Sequence, residues 1–460
     1  MSQPTTLGAL RESGYRPRSV KAEIRENLLE RLHAGESAFP GILGFDDTVL
    51  PQLESALLAG HDLVLLGERG QGKTRLMRTL VFLLDEWSPF VEGCEINDEP
   101  TAPVCVRCRG LAEELGAALP VAWRHRDERY VEKLATPDTS VGDLVGDVDP
   151  VKVAEGRTLG DPETIHYGLL PRTNRGVFGI NELPDLGERI QVALFNVLEE
   201  RDIQVRGYSL RLPLDLLLVA TANPEDYTNR GRIITPLKDR FGAEIRTHYP
   251  HLVEDEVALV AQEAALVADV PEHLLEVVSR LTRGLRESSS VDQRSGVSAR
   301  FAIAAAEAVA ASALRRGARV GETGAVARIC DVPRTIPTLL GKVEFGMGEE
   351  GREAEVVQHL LRLATAETFR ERLGGLDLSG FTELFAEGAT VETGELVPAE
   401  ELLGQVGTVP GLSKVLDRLG HGDDATPGQV AAAVELVLEG LHLTRRIDKA
   451  SVDGRAVYGA

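Results

Sequence analysis

The apolar residues of the chain follow two different patterns. Three short, nearly continuous apolar runs lie at Leu63–Leu66, Gly176–Ile180 and Leu214–Ala220, and Tyr130–Leu134 and Ala243–Thr247 are two further predicted strands. Between these runs apolar residues recur at helical spacing, as they do in Arg189–Glu200. Strands that are buried on both faces are apolar throughout, and strands that alternate with helices form parallel sheets. The pattern therefore predicts an α/β domain with a five-stranded parallel sheet flanked by helices.

After about residue 250 only the helical pattern remains. We predict that this part of the chain is helical, with glycine-rich joints and without strands. Ser298–Arg316 is rich in alanine and predicts one helix that Gly317 ends. Arg315 and Arg316 would then lie in its last turn, where the helix dipole favours cations.

Residues 88–128 fit neither pattern, and we predict an irregular insertion between the first and second strands. Three of the four cysteines lie there, at Cys94, Cys105 and Cys108. A C-x-x-C step with a third thiol nearby suits a tetrahedral Zn²⁺ site, with His125 as a candidate fourth ligand. A redox-regulated dithiol and plain packing of three thiols are the alternatives. Cys330 is far along the chain and is expected in a core.

The composition excludes several classes of protein. The chain has 460 residues and a net charge of −22, which argues against nucleic acid as the main partner because phosphate contacts need clustered Lys and Arg. Four cysteines in this length do not suggest a disulfide framework. The first residues lack the apolar segment of a secretory signal, and no apolar run is long enough for a membrane span. We expect a cytoplasmic protein.

A glycine-rich loop follows the first predicted strand and precedes a predicted helix. It consists of Gly67, Glu68, Arg69, Gly70, Gln71, Gly72, Lys73 and Thr74, which is the P-loop pattern. Backbone N–H groups of such a loop surround phosphates at a helix N-terminus. Lys73 would contact the β- and γ-phosphates and the Thr74 hydroxyl would coordinate Mg²⁺. The loop predicts binding of ATP with Mg²⁺.

Polar residues at the ends of later strands supply the remaining chemistry. Asn181 and Glu182 end the third strand, so Glu182 could orient or deprotonate the attacking water; an ordinary strand end is the alternative. Asn223 follows the fourth strand and could hold that water. Arg240 precedes the fifth strand and could reach a neighbouring subunit's γ-phosphate, or form a surface ion pair with Asp239 or Glu244.

The order of these motifs resembles that of the AAA+ superfamily. FPGILGF at 39–45, GERGQGKT at 67–74, the strand ending in Glu182, ATANP at 220–224 and LKDRF at 237–241 follow one another. Within the superfamily the chain looks like the branch of the magnesium chelatase ATPase subunit and the MoxR-type ATPases. The resemblance covers about residues 39–317, and GVSAR at 296–300 matches the start of the lid helix.

The resemblance implies roles around the nucleotide for a set of positions. Walker A comprises Gly67, Gly72, Lys73 and Thr74; Walker B comprises Asn181 and Glu182; sensor 1 is Asn223, the arginine finger Arg240 and sensor 2 Arg300; Ile42, Leu43 and Gly44 face the adenine. The family pattern has Asp where this chain has Asn181. An amide can accept a hydrogen bond from a metal-bound water but brings no charge, so we expect hydrolysis to be active and slow.

The resemblance also implies a domain organisation and an assembly. It predicts an N-terminal helical extension over 1–38, an AAA+ nucleotide-binding domain over 39–250, a helical lid over 251–333 and a helical C-terminal region over 334–460. Family members form homo-oligomeric rings, commonly hexamers, and a von Willebrand A domain protein or another client is the expected partner.

Three functions follow from these expectations. The first is a ring ATPase that remodels or activates a partner protein, as in MoxR-type ATPases. The second is the ATPase motor of a magnesium or other metal chelatase, in which a separate large subunit carries out chelation. The third is a regulatory switch that binds ATP and hydrolyses it slowly, which Asn181 suggests. We favour remodelling because residues 189–232 depart from the sequence expected of a dedicated chelatase subunit.

Overall fold

The computed structural model describes most of the chain in two compact units. The described residues are 3–149, 151, 154–155, 164–200, 203–205, 208–210, 212–224, 232–292, 296–386, 388–422, 424–452 and 455–459. The first unit spans Met1–His248 and the second spans Tyr249–Ala460. Within these residues no helix combines the length and the apolar character needed to cross a bilayer.

The first unit is built on a parallel sheet of five strands. They are β1 Leu63–Leu66, β2 Tyr130–Leu134, β3 Gly176–Asn181, β4 Leu216–Ala222 and β5 Ala243–Arg246. Their order across the sheet is β5-β1-β4-β3-β2, and each neighbouring pair is parallel. The predicted five-stranded parallel sheet is therefore confirmed. The prediction placed the fourth strand two residues too early, because its apolar run begins before the hydrogen-bonded ladder does.

The three central strands β1, β4 and β3 are buried on both faces of the sheet, which explains their continuous apolar runs. Val64 and Leu66 of β1 pack in the core on one face, together with Phe178 of β3. Leu63 and Leu65 pack in the core on the opposite face. Successive side chains of a strand point to opposite faces, so a strand covered on both sides has no polar face to alternate with.

Helices cover both faces of this sheet and connect its strands. The α-helices of the first unit are Leu7–Glu12, Val20–Ala34, Val49–Ala59, Lys73–Thr79, Val106–Leu115, Val141–Leu144, Leu169–Arg172, Glu188–Glu200 and Thr235–Arg240. Single 3₁₀ turns lie at Leu80–Leu83, Gly116–Ala118, Arg126–Arg129 and Leu183–Asp185. Two small hairpins pair Gly146–Val148 with Ile165–Tyr167 and Ile203–Val205 with Tyr208–Leu210.

The insertion between β1 and β2 is ordered, so the prediction of an irregular segment was wrong. Trp87–Val91 pairs antiparallel with Val121–His125, and the helix Val106–Leu115 lies between them in the chain. The first of these strands contains Pro89, and the helix buries a single residue, Cys108. Neither element therefore carries the apolar periodicity on which the prediction depended.

A buried ion pair joins the second helix of the chain, Val20–Ala34, to the residue before β2. Arg129 donates to both carboxylate oxygens of Glu23, each at 2.6 Å, and its Nε donates to the carbonyl of Arg175 at 2.8 Å. The side chains of Arg129 and Glu23 are only 1% and 7% exposed. Removing one partner of such a pair costs about 3–5 kcal/mol because the other charge stays buried. The helix Val20–Ala34 is thus an integral part of the first unit.

The second unit is mostly helical around one continuous core. Its α-helices are Val253–Glu263, Glu272–Glu287, Ala299–Val320, Ile336–Leu339, Glu353–Leu373, Ser379–Glu383, Ala399–Val406, Leu412–Arg418 and Pro427–Leu443, with 3₁₀ turns at Ile329–Asp331, Pro333–Thr335 and Leu340–Lys342. One cluster of buried apolar residues extends from Val257 to Tyr458. The division at residue 333 into a lid and a C-terminal region stays a prediction.

Two expectations for the second unit were wrong. The second unit also contains a three-stranded antiparallel sheet of Val391–Thr393, Arg455–Gly459 and Asp448–Val452, whereas we predicted no strands there. Asp448–Val452 is fully exposed, so it has no apolar pattern to detect. The alanine-rich helix also passes through Gly317 to Val320 and ends at Gly321, which has a left-handed φ of 79°.

The reason for the longer helix lies in its packing. A Cβ at Gly317 would lie 3.1 Å from Cβ of Ala325, so the glycine permits close contact. Arg316 is buried, and it donates to Val326 O at 2.6 Å and to Glu322 at 2.8 Å, with Asp331 also in contact. Arg316 therefore forms a buried network and does not cap an exposed last turn.

Candidate nucleotide site

The glycine-rich loop lies between β1 and the helix Lys73–Thr79, where phosphate binding requires it. Gly72 adopts a left-handed φ of 73°, which an L side chain rarely adopts. A Cβ at Gly67 would fall 2.0 Å from Oγ1 of Thr247 and 2.3 Å from Oε1 of Gln71. Gln71 Oε1 accepts hydrogen bonds from the Glu68 N–H and from Thr247 Oγ1, at 2.9 and 3.0 Å. The loop is thus fixed against the end of β5.

Lys73 is buried at the N-terminus of this helix, with 7% of its surface exposed. Its ammonium donates to the carbonyls of Gly67 and Glu68 and to Oδ1 of Asn223, the last at 2.8 Å. A buried ammonium requires such oxygen partners. The glycine backbone, the helix N-terminus and the cation converge in the arrangement that phosphate oxygens need, so the residues present fit a nucleoside triphosphate.

Asn223 connects Lys73 to Glu182. Its Nδ2 donates to Oε2 of Glu182 at 2.8 Å, while its Oδ1 faces the ammonium. A lysine ammonium only donates and a carboxylate only accepts, so the orientation of the Asn223 amide is fixed. Glu182 has a left-handed φ of 56°, which is uncommon for a residue with a side chain. Such backbone strain typically concentrates at functional sites.

The second amide of the site, Asn181, is oriented in the same way. Its Oδ1 accepts from Oγ1 of Thr74 at 3.0 Å and from Oγ1 of Thr221 at 3.2 Å. Its Nδ2 donates to Oε1 of Glu132 on the neighbouring strand β2. The carboxylate accepts only, which turns the amide oxygen of Asn181 toward Thr74. Two neutral oxygen atoms, Oγ1 of Thr74 and Oδ1 of Asn181, are therefore adjacent at this end of β3, and their role as metal ligands stays a prediction.

Glu132 is a site residue that sequence reasoning missed. Arg78 donates to both of its carboxylate oxygens at 2.7 and 2.9 Å, and Tyr130 OH donates at 3.0 Å. Partial burial alone would raise the pKa of Glu132, but hydrogen bonds from Arg78, Tyr130 and Asn181 outweigh it and hold the pKa below its ordinary value. Glu132 is the only acidic residue of β2, and that strand pairs with β3. The sequence feature that could have identified Glu132 is a single carboxylate on a predicted strand that could pair with the strand of Asn181.

Comparison with known proteins finds relatives in the branch that the sequence motifs resemble. No family model matches the chain. The magnesium-chelatase 38 kDa subunit of Cereibacter sphaeroides is 29% identical over 244 residues, which are 50% of this chain and 64% of that protein. The subunit of the same name in Acidiphilium rubrum is 29% identical over 314 residues, covering 66% of this chain and 75% of that protein. The chain is a distant homologue of these magnesium-chelatase subunits.

Another magnesium-chelatase subunit matches a shorter part of the chain at a similar identity. The magnesium-chelatase subunit ChlI of Anabaena variabilis is 26% identical over 214 residues, which are 46% of this chain and 60% of that protein. Several of these matches span less than two thirds of the relative's length. Among solved structures, a chain of the BchI–BchD complex of magnesium chelatase is 23% identical with a TM-score of 0.37, covering 70% of this chain and 98% of that one. A putative ATPase from Cytophaga hutchinsonii is 15% identical, with a TM-score of 0.32 and coverages of 77% and 98%.

Arg240, the predicted arginine finger, lies on the helix Thr235–Arg240 that precedes β5. The side chain of Arg240 is 41% exposed, and its Nε lies 3.0 Å from Oε2 of Glu199. Its guanidinium also lies 5.3 Å from the centre of the Phe195 ring. The ion-pair partner is Glu199, whereas Glu244 pairs with Lys238. Action on a neighbouring subunit stays a prediction.

The remaining predicted site residues lie in two places. Ile42, Leu43 and Gly44 are partly buried in the turn after Phe39, and Ile42 packs against the core below β1. Arg300 is exposed at the second residue of the helix Ala299–Val320, in the second unit. The roles proposed for these four residues, at the adenine and as sensor 2, stay predictions.

The predicted cysteine cluster is present, with a different fourth member. Cys94, Cys105 and Cys108 are buried together with Asp98, and the ligand atoms of all four lie within 4.8 Å of one another. His125 was the wrong candidate, because its Nδ1 faces Asp127 at 3.1 Å and its ring contacts Trp87. Asp98 lies between the first two cysteines in the sequence, but acidic residues are too common in loops for its position to indicate a ligand.

Proposed function

We propose that this chain is a ring-forming ATPase that couples ATP binding and hydrolysis to the remodelling or activation of a partner protein. The observation that supports it most is the connected set of side chains from Lys73 through Asn223 to Glu182. It joins the predicted phosphate-binding cation to the predicted base through one amide. Such a connection allows a change at the phosphates to alter the position of the base.

The residues divide the reaction between them. Lys73 and the N–H groups of the glycine loop would bind the β- and γ-phosphates. Oγ1 of Thr74 and Oδ1 of Asn181 would hold Mg²⁺, which offsets the negative charge of the phosphates. Glu182 would accept a proton from the attacking water, and Asn223 would orient that water and Glu182. Because Asn181 is neutral, we expect Mg²⁺ affinity and turnover to be low for the family.

A direct test measures phosphate release from ATP by the full chain. The wild type should hydrolyse ATP with Mg²⁺ and bind a fluorescent ATP analogue. Lys73→Ala removes the buried cation, and hydrogen bonds to charged groups contribute about 1.5–3 kcal/mol, so affinity should fall at least about tenfold. Lys414→Ala, an exposed lysine of the second unit, is the control and should change neither quantity. Unchanged affinity in Lys73→Ala would place the nucleotide elsewhere.

A second candidate function is the ATPase motor of a metal chelatase. The sequence relatives support this function, because they are magnesium-chelatase subunits. The two candidates differ in what ATP hydrolysis accomplishes. Purification of the full chain with ATP from its own cells should recover a von Willebrand A domain protein in both cases. Insertion of Mg²⁺ into protoporphyrin by the recovered complex would support the chelatase; its absence, with ATP-dependent change in the partner, would support remodelling.

A further inference from the structure

The insertion between β1 and β2 has a buried polar cluster that the nucleotide chemistry does not use. Cys94 and Asp98 lie on the turn after the strand Trp87–Val91, and Cys105 and Cys108 lie at the start of the helix Val106–Leu115. Cys108 and Asp98 are completely buried, and Cys94 and Cys105 are each 7% exposed. We propose that these four side chains hold one Zn²⁺ ion in a closed, structural site.

The separations of the four ligand atoms suit such an ion. They lie within 4.8 Å of one another. Tetrahedral zinc with Zn–S bonds of about 2.3 Å requires sulfur atoms about 3.8 Å apart, so shifts of less than about 1 Å complete the site. Four protein ligands leave no open position, which is the arrangement of structural rather than catalytic zinc.

Asp98 distinguishes a metal site from simple packing of thiols. Its Oδ2 accepts from the Cys105 N–H at 2.9 Å, but its Oδ1 is buried without a hydrogen-bond partner in the described structure. A buried carboxylate oxygen beside three sulfur atoms is unfavourable unless a cation compensates it. A disulfide between two of the cysteines would leave this carboxylate as unpaired as before. A divalent cation accounts for all four side chains together.

The surrounding backbone favours thiolates at these positions. The Asp98 N–H donates to Sγ of Cys94 and the Cys108 N–H donates to Sγ of Cys105, both at 3.3 Å. Cys105 is also the N-cap of its helix, where the dipole stabilises negative charge. The guanidinium of Arg107 lies 4.0 Å from Sγ of Cys108. These interactions offset the excess negative charge that three thiolates and a carboxylate would place around Zn²⁺.

The site has a mechanical role in this position. The helix Val106–Leu115 buries no residue other than Cys108, so apolar contact holds it weakly. The loop of Cys94 and Asp98 in turn contacts the segment that leads to β3. Asn97 Nδ2 donates to the carbonyl of Arg172 at 2.7 Å, and Asn174 Nδ2 donates to the carbonyl of Ile96 at 3.1 Å. Zinc would join the helix to the loop and brace the strand that carries Asn181.

The test uses the full chain, purified without chelators, and does not depend on its ATPase activity. Elemental analysis should give one zinc per chain. Cys94→Ser and Cys108→Ser should each lose most of it, whereas Cys330→Ser, which changes the cysteine of the second unit, should keep it. Replacement of Zn²⁺ by Co²⁺ should give the intense visible absorption of tetrahedral cobalt with a sulfur-to-metal band. Asp98→Asn should keep that sulfur band and release metal to a chelator faster than the wild type.

A measurement on the wild type alone tests the proposal even if the cysteine variants fail to fold. Titration of the thiols with a mercurial should release one zinc as three cysteines react. A metal-free protein with four reactive thiols would overturn the proposal in favour of packing. A metal-free protein with a disulfide among Cys94, Cys105 and Cys108 would overturn it in favour of redox control. Full zinc content in Cys94→Ser would also overturn it.

Discussion

Asn181 and Glu132 meet across β3 and β2, where the Asn181 amide donates a hydrogen bond to the Glu132 carboxylate. The sequence resemblance implies Asp where this chain has Asn181, and a carboxylate there would face Glu132 directly. Two carboxylates at hydrogen-bond distance repel each other unless a proton or a cation lies between them. The amide and Glu132 are therefore a matched pair, and one should not change without the other.

This pair predicts a charge-swap effect. Asn181→Asp should lower the midpoint of thermal unfolding in the absence of Mg²⁺ by a few degrees, since about 1 kcal/mol corresponds to roughly 2–4 °C in a unit of this size. Mg²⁺ with nucleotide should recover more stability in this variant than in the wild type. The double change Asn181→Asp with Glu132→Gln restores one carboxylate and one amide, and should recover the midpoint without Mg²⁺. Calorimetry measures all three; additive losses in the double variant would contradict the pairing.

Glu182 should be needed for hydrolysis and not for binding. Glu182→Gln keeps an oxygen that can accept the hydrogen bond from Asn223 but removes the base. Loss of a general base typically slows a reaction by about 10²–10⁴-fold. Nucleotide titration should show unchanged affinity, and a phosphate-release assay should show the loss. Wild-type turnover in this variant would mean that another group activates the water.

The arginine-finger prediction concerns shared sites between subunits. Arg240→Ala should keep ATP affinity and lose hydrolysis, whereas Lys238→Ala, on the same helix and also in an ion pair, is the control that should keep both. Mixing Arg240→Ala with Lys73→Ala subunits should restore part of the activity, because an interface can then combine an intact loop with an intact finger. Specific activity should also rise with protein concentration. Normal hydrolysis by Arg240→Ala would contradict a role as arginine finger and would mean that Arg240 serves only as the ion-pair partner of Glu199.

The second unit contains a buried histidine that predicts a pH dependence of stability. Burial, and then the charges of His421 and Arg372, lower the pKa of His273 to about 3. Both ring nitrogens lack hydrogen-bond partners in the described structure. The unfolded chain binds the proton at a pKa of about 6.5, so stability is complete above that pH and falls as the pH drops toward 3, at up to about 1.4 kcal/mol per unit.

His273→Leu removes this proton linkage without removing a hydrogen bond. The difference in unfolding free energy between the variant and the wild type should shift in favour of the variant between about pH 7 and about pH 5. Urea denaturation at the two pH values measures it. His359→Leu, an exposed histidine of the same unit, is the control and should show no such shift. Identical pH profiles for His273→Leu and the wild type would mean that His273 binds a proton as readily in the folded protein as in the unfolded chain.

The features that could be predicted from the sequence are those that apolar runs or fixed residue spacings determine. The three central strands of the sheet and the loop Gly67–Thr74 fall into this class, because burial on both faces and backbone wrapping around phosphate restrict the residue types. The sequence did not predict Glu132, since its role depends on which strand lies next to β3. It missed the sheet of Asp448–Val452, an exposed strand without an apolar face. The predicted fourth zinc ligand was His125 and not Asp98, because the prediction used residue type alone and could not use positions in space.

The order of strands in the sheet has a consequence for the nascent protein. β1 is the first of the five strands to leave the ribosome, yet both of its neighbours, β4 and β5, are synthesised last. At about 5–20 residues per second, β1 waits roughly 8–30 s for Leu216 to be made. During that time the sequence Leu63–Leu66 is an apolar strand with two unpaired edges, and such segments aggregate readily. Slow translation or chaperone shortage should therefore reduce the yield of this protein through its earliest strand.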